Sequence, residues 1–336
     1  MEAKIARLQV SNPSRENLEL EASLNLELDD WLEREDLKWK QKSRELWTKE
    51  DDRNTRFFHL STLVRRRRNR INEIKLEDGT WINTREDIQN YFNENFKSLY
   101  QSEFNEVSED LENLIEPCIS VEENEELCRV PSREEIRKVV FEMKSLKAPG
   151  PDGFLALFYK HYWETVGDQI ILATQSFFRS GRILSELNET FIALIPKKNG
   201  SCNFNQFRPI SLCNVCYKVI SKIIVSRLRP LLSRMIDPAQ VAFVPNRWIA
   251  ENVVIAQEVV HSFKKTKKKK GFLGIKIDFQ KACDRMEWKF LSLTLKAFGF
   301  SNKFTNLIHQ CLSTVQYSVL LNCGKCPSYT PSRGLR

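Results

Sequence analysis

Residues 272–284, Phe-Leu-Gly-Ile-Lys-Ile-Asp-Phe-Gln-Lys-Ala-Cys-Asp, constrain this chain more than any other stretch. Phe272–Ile277 is a short, mostly apolar run, which reads as a buried strand. Asp278 stands at its exit, and a helical turn follows. A carboxylate in that position is costly unless it is solvated, caps the turn or binds a cation. Spacing alone favours the N-cap, because Asp is among the best residues for that role; a metal ligand needs further support. A second apolar run, Gln316–Leu321, offers a partner. The expectation is that Phe272–Asp278 and Gln316–Leu321 pair antiparallel, backed by a helix over Trp288–Phe298, in an α+β fold.

Periodicity organises the rest. Residues 1–60 read as mostly helical, with Leu24, Leu26, Leu28, Trp31, Leu32, Leu37 and Trp39 spaced too irregularly for a coiled coil. A basic helix runs from Arg56 through Arg70. Ile71–Leu76 and Trp81–Ile82 read as a strand pair around Glu77-Asp78-Gly79, and Arg85–Tyr100 as an amphipathic helix. Residues 103–128 carry ten acidic residues and no Lys or Arg, which reads as a linker. Ser132 and Glu135 fit a capping box, and Ile136, Val139, Val140 and Met143 mark one helix face. Further helices are expected over Gln169–Arg179, Tyr217–Leu232, Asn252–Phe263, Trp288–Phe298 and Asn302–Thr314, with a strand at Thr190–Ile195 turning through Lys197-Lys198-Asn199-Gly200. The segments expected are 1–60, 61–102, 103–130, 131–260 and 261–336.

The net charge of +8 is uneven. Arg65, Arg66, Arg67, Arg68 and Arg70 form one cluster, and Lys264–Lys270 another. Such clusters suit a polyanion, nucleic acid being the commonest; a solvated loop or a nuclear localisation signal is the alternative. The start has no apolar signal-peptide core, and no apolar run approaches the ~18 residues of a membrane span. An intracellular protein, nuclear or cytoplasmic and not secreted, is therefore expected, with its nine cysteines reduced. Two CxxC pairs, Cys213/Cys216 and Cys323/Cys326, raise zinc, but no histidine completes either locally, so both read as free thiols.

Three blocks carry a resemblance: Lys147-Ala148-Pro149-Gly150-Pro151-Asp152-Gly153-Phe154, Phe207-Arg208-Pro209-Ile210-Ser211-Leu212, and Ile275–Asp284. Together they resemble the reverse transcriptase of plant LINE-type (non-LTR) retrotransposons. Trp47–His59, Ile195–Lys198, Arg227–Pro230, Gln240–Arg247 and Arg333–Arg336 match further blocks in order. The resemblance implies a right-hand polymerase, here the fingers and part of the palm behind a helical N-terminal extension. It also implies RNA-directed DNA synthesis from an RNA template and a DNA primer or target, deoxynucleoside triphosphates as substrates, and two Mg²⁺ ions.

Site residues follow from that resemblance. Asp278, with the backbone carbonyl of Phe279, is implied as a metal ligand and catalytic residue. Lys197, Lys198 and Arg208 are implied to grip the triphosphate; a planar guanidinium and a mobile ammonium both suit phosphate. Cys283 occupies the position where the family places an aromatic ring against a ribose 2′-hydroxyl, so sugar discrimination is expected to be loose. Asn246 stands for a glycine and Asp51 for another; Asn tolerates positive φ best among non-glycines. In the family two further aspartates lie on a later hairpin, and this chain has no acidic residue after Glu287. The expectation is a polymerase truncated before its Asp-Asp hairpin and inactive as given. A non-enzymatic RNA-binding remnant and a pseudogene product without function are the alternatives.

Overall fold

A computed structural model of the chain describes residues 1–11, 14–43, 55–103, 114–265 and 272–335. It divides into two compact units, one formed by Met1–Asn72 with Pro196–Ser201, the other by Glu73–Ile195 with Cys202–Arg336. Asp51 and most of the Lys264–Lys270 run lie outside the described residues.

The first unit is built on helices α1 (Glu2–Val10), α2 (Arg15–Ser43) and α3 (Thr55–Asn69). Its apolar core is small: Ile5, Leu24, Phe58 and Ile71 are buried, whereas Leu26, Trp31, Leu32 and Leu37 are exposed. That matches the irregular apolar spacing, which gives no continuous stripe to bury.

The second unit opens with the hairpin β1 (Ile74–Lys75) and β2 (Trp81–Ile82), paired antiparallel. Gly79 turns it at φ +90, and Asp78 accepts from the Thr80 amide at 2.8 Å. Helix α4 (Arg85–Leu99) starts at Thr84, whose side chain accepts from Asp87 N, and buries Ile88, Phe92, Phe96 and Leu99. The acidic stretch is only partly a linker. Val121–Cys128 is a helix, α5, with a full Ser120/Glu123 capping box and with Leu127 and Cys128 buried. Helix α6 (Arg133–Glu142) begins at Ser132 as expected and buries Ile136, Val139 and Val140.

Around α6 pack α7 (Ala156–His161), α8 (Trp163–Ser180) and α9 (Val215–Leu228). Phe177, Phe178, Val219, Ile220 and Ile223 are essentially water-free, each contributing on the order of 1.5–3 kcal/mol by burial. Gly181 in the left-handed region ends α8. A one-turn helix α10 (Leu232–Met235), then α11 (Ile249–Lys265), α12 (Trp288–Ala297) and α13 (Asn302–Ser313) complete the helices described; α13 adds Phe304, Leu307 and Cys311 to the same core.

The four-stranded sheet runs β4–β3–β5–β6, from β3 (Glu189–Pro196), β4 (Phe207–Cys213), β5 (Gln316–Leu321) and β6 (Gly324–Lys325). It overturns the pairing expected from the sequence. β5 lies parallel to β3, with Glu189 opposite Gln316 and Ala193 opposite Leu320, and antiparallel to β6. Both edges of β5 are thereby occupied, so Phe272–Asp278 cannot pair with it. Residues 272–279 lie outside any strand or helix and are exposed. Helix α11 likewise buries no side chain, and its Phe263 stacks on Phe272 with centroids 5.1 Å apart.

Candidate active site

Asp278 is an exposed carboxylate at the mouth of a turn spanning residues 280–285, which reverses at Lys281 with φ 54. Arg285 N donates to Lys281 O at 3.1 Å, closing that turn. The second carboxylate of the stretch faces elsewhere. Asp284 accepts a 2.8 Å hydrogen bond from the Tyr100 hydroxyl, at the end of α4. Burial, then the charge of Asp284, push the Tyr100 phenol far above its usual range, so it stays protonated and acts as a donor.

The turn is clasped from behind by residues 332–335. Gly334 N donates to Met286 O at 2.7 Å and Leu335 N to Cys283 O at 2.8 Å, while Trp288 Nε1 donates back to Gly334 O at 2.8 Å. Gly334 has φ +94, and a Cβ there would fall 2.6 Å from Asp284 O and 2.8 Å from the Tyr100 ring, so only glycine fits. Arg333 is buried. Its Nε donates to Leu99 O at 2.9 Å, and its two terminal nitrogens reach Glu287 at 3.3 Å and Glu103 at 3.2 Å. Ser102 Oγ completes the knot on Glu287 at 2.6 Å. The sequence marks Arg333–Arg336 as a block without assigning it work, and it gives no sign of Tyr100. The clasp's main-chain bonds leave no residue signature, and the Tyr100–Asp284 bond joins positions 184 residues apart, so neither is legible in the sequence.

The other expected site residues are spread. Arg208 is exposed on β4, and Cys283 is exposed in the turn. Lys197 and Lys198 are exposed in the Pro196–Ser201 turn, which belongs to the helical unit, whereas Arg208, Asp278 and Cys283 belong to the larger one. The Lys147–Phe154 loop is fixed by Asn214, which sits at the start of α9. Asn214 Oδ1 accepts from Asp152 N at 3.1 Å and its Nδ2 donates to Glu186 O at 3.1 Å. A Cβ on Gly150 would come within 2.3 Å of Asn214 Oδ1, which explains that glycine. Asn246 does take positive φ, at 61, and Arg247 beside it donates to the carbonyls of Ile236, Asp237 and Gln240, so it pins a loop. On α3, Arg66, Arg67 and Arg68 are exposed, as is Arg70 just past its end, and Arg65 donates to Lys42 O at 3.2 Å.

Among the described residues no cluster of three or more His, Cys, Asp or Glu is close enough to hold a metal ion. Asp278 and the Phe279 carbonyl provide oxygen ligands of the kind Mg²⁺ takes, but Asp284 is committed to Tyr100, so these groups do not form a two-metal site by themselves. The cysteines are free thiols; Cys323 tops the β5–β6 turn with φ 69, and Cys326 is buried beyond it.

Residues 195–335 match the family model described as reverse transcriptase (RNA-dependent DNA polymerase). The matched stretch, about two fifths of the chain, is similar to a reverse transcriptase domain. It is also similar to the Transposon TX1 uncharacterized 149 kDa protein of Xenopus laevis, 28% identical over 291 residues, which is 85% of this chain and 22% of that protein. The chain thus spans about a fifth of the length of that relative. The matched region contains Lys197, Lys198, Arg208, Asp278, Cys283 and the clasp residues 332–335, while Tyr100 and the α3 arginines precede it. Among the described residues no helix is long and apolar enough to cross a membrane.

Proposed function

We propose that the chain contributes the fingers and the first part of the palm of a non-LTR retrotransposon reverse transcriptase of the plant LINE type, acting inside the cell on an RNA template and a DNA primer. The observation that carries this is the reverse transcriptase match over 195–335, with Asp278 exposed at the end of its apolar segment. In that reading Asp278 and the Phe279 carbonyl are what this chain offers to Mg²⁺, which supplies charge stabilisation for phosphoryl transfer when bound. Arg208, Lys197 and Lys198 hold the triphosphate by charge and hydrogen bonds. Cys283 leaves room beside the sugar, because a thiol fills far less space than a ring. Arg65–Arg68 and Arg70 neutralise template phosphates.

The 336 residues alone hold one carboxylate of the metal set, and the last acidic side chain is Glu287. They are therefore expected to extend no primer on an RNA template with Mg²⁺. Fused to the remaining palm and thumb segments of a related element, they should extend it. In that fusion Asp278→Ala should abolish extension, and Cys283→Tyr should raise the preference for deoxynucleotides over ribonucleotides. Extension by the unfused chain, or an active fusion carrying Asp278→Ala, would sink the assignment. A second reading, RNA binding without catalysis, is favoured by one observation: the exposed α3 arginines precede the matched domain.

A further inference from the structure

In the helical unit, α2 and α3 enclose a groove of about 570 Å³ that includes Glu35, Asp36, Trp39, Arg56 and His59 in its lining. Trp39 and His59 pack ring against ring, centroids 4.2 Å apart at 58°. His59 is the exposed member, Trp39 the half-buried one behind it. Lys42 Nζ lies 5.0 Å from the Trp39 ring centre. Glu35 accepts from Trp39 Nε1 at 3.4 Å, which orients the indole. Along α3, Arg56, His59, Leu63, Arg66 and Arg67 follow a three- and four-residue spacing and so share one helix face, and all five are exposed.

An exposed ring backed by a second ring, on a face lined with guanidiniums, fits an unpaired nucleotide: aromatic rings accept any base face, and arginines at helical spacing follow its phosphates. The carboxylates answer a further question. A phosphate would be repelled by Glu35 and Asp36, but an exocyclic amino group would not. Carboxylates accept from the N4 amino group of cytosine and from equivalent donors on adenine and guanine. Uracil has no exocyclic amino group: its one edge donor, N3–H, is flanked by two carbonyl oxygens, so a carboxylate that accepts from it also faces an acceptor.

We propose that this groove binds one unpaired, amino-bearing base of a single-stranded nucleic acid, stacked on His59 with its edge toward Asp36, and that the strand continues along the Arg66–Arg67 face. The proposal rests on the nucleic-acid reading of the α3 arginines and is independent of the polymerase reading. It leaves the backbone contacts sequence-blind and assigns base discrimination to the groove.

The test uses the full chain and fluorescein-labelled ten-nucleotide oligo(C), oligo(A) and oligo(U), read by anisotropy across a salt series. Oligo(C) and oligo(A) should bind about tenfold tighter than oligo(U), within the range that stacking and edge contacts supply. His59→Ala should weaken oligo(C) about tenfold with the salt slope unchanged, and His59→Tyr should keep the affinity. Asp36→Asn, which can donate as well as accept, should remove the discrimination against oligo(U). Arg66→Ala with Arg67→Ala should instead reduce the salt slope by roughly 1.4, about 0.7 per contact. Equal affinity for the three oligomers with a normal salt slope overturns the base pocket while leaving the arginine track standing. A variant Asp36→Asn that still rejects oligo(U) overturns it as well. Failure of every oligomer to bind overturns both readings and says nothing of the polymerase domain.

Discussion

At the scale of single residues, three tyrosines carry a pH dependence. Tyr100, Tyr159 and Tyr329 are all pushed well above the ordinary phenol value, chiefly by burial, with Asp284 adding to Tyr100 and Cys216 and Asp152 adding to Tyr159. A raised folded value means that the folded chain keeps protons which the unfolded chain gives up. The stability from these groups is therefore intact below about pH 10 and falls as pH rises above it, by roughly 1.4 kcal/mol per pH unit for each tyrosine. Tyr329 isolates the effect, because its buried hydroxyl has no hydrogen-bond partner among the described residues. Tyr329→Phe should cost little at pH 7 and should flatten the alkaline loss of stability by one proton. Urea denaturation at pH 9, 10 and 11 measures this, and an unchanged slope would place Tyr329 in water. None of these shifts is readable from sequence, because Tyr100 meets Asp284 across 184 positions.

At the scale of elements, one buried ion pair joins α6 to α9. Arg227 is 5% exposed and bonds both oxygens of Glu135 at 3.0 Å, while its remaining nitrogen reaches the Leu127 and Arg129 carbonyls. Burial alone would raise the Glu135 carboxyl, but Arg227 and then Arg129 outweigh it and hold it below its usual range. Arg227→Ala leaves the half-buried Glu135 carboxylate with Arg129 alone and leaves two carbonyls without their donor, so a loss of about 3 kcal/mol is expected. A shift of the denaturation midpoint worth less than about 1 kcal/mol would contradict this geometry. The helices that meet here were legible: Ile136, Val139 and Val140 announce one face, and Ile220, Ile223 and Ile224 another. The strand pairing was not. Phe272–Ile277 has the composition of a strand, yet a short apolar run carries no instruction about its neighbour, and the parallel β3–β5 ladder joins residues more than a hundred positions apart. The α5 helix hid in acidic composition, although Ser120 and Glu123 held its start signal in plain view.

At the scale of the whole molecule, nine free cysteines sample many parts of the fold. Cys283 and Cys323 are exposed, whereas Cys128, Cys213, Cys311 and Cys326 are buried. Burial also raises the thiols of Cys216 and Cys326, which depresses their reactive thiolate fraction. With a thiol reagent under native conditions, Cys283 and Cys323 should label first and the buried four only after denaturant is added. Mass spectrometry of timed digests would expose an error if any buried cysteine kept pace with Cys283. The turn behind Asp278 is stitched to Tyr100, synthesised long before it, and to residues 332–335, synthesised well after it. A ribosome therefore releases this turn unset, and it acquires its final shape only once Arg333 and Gly334 have cleared the exit tunnel and closed a loop of more than two hundred residues back to Leu99 and Tyr100. Until that moment the nascent chain carries Asp278 beside a turn that lacks the bonds which later fix it.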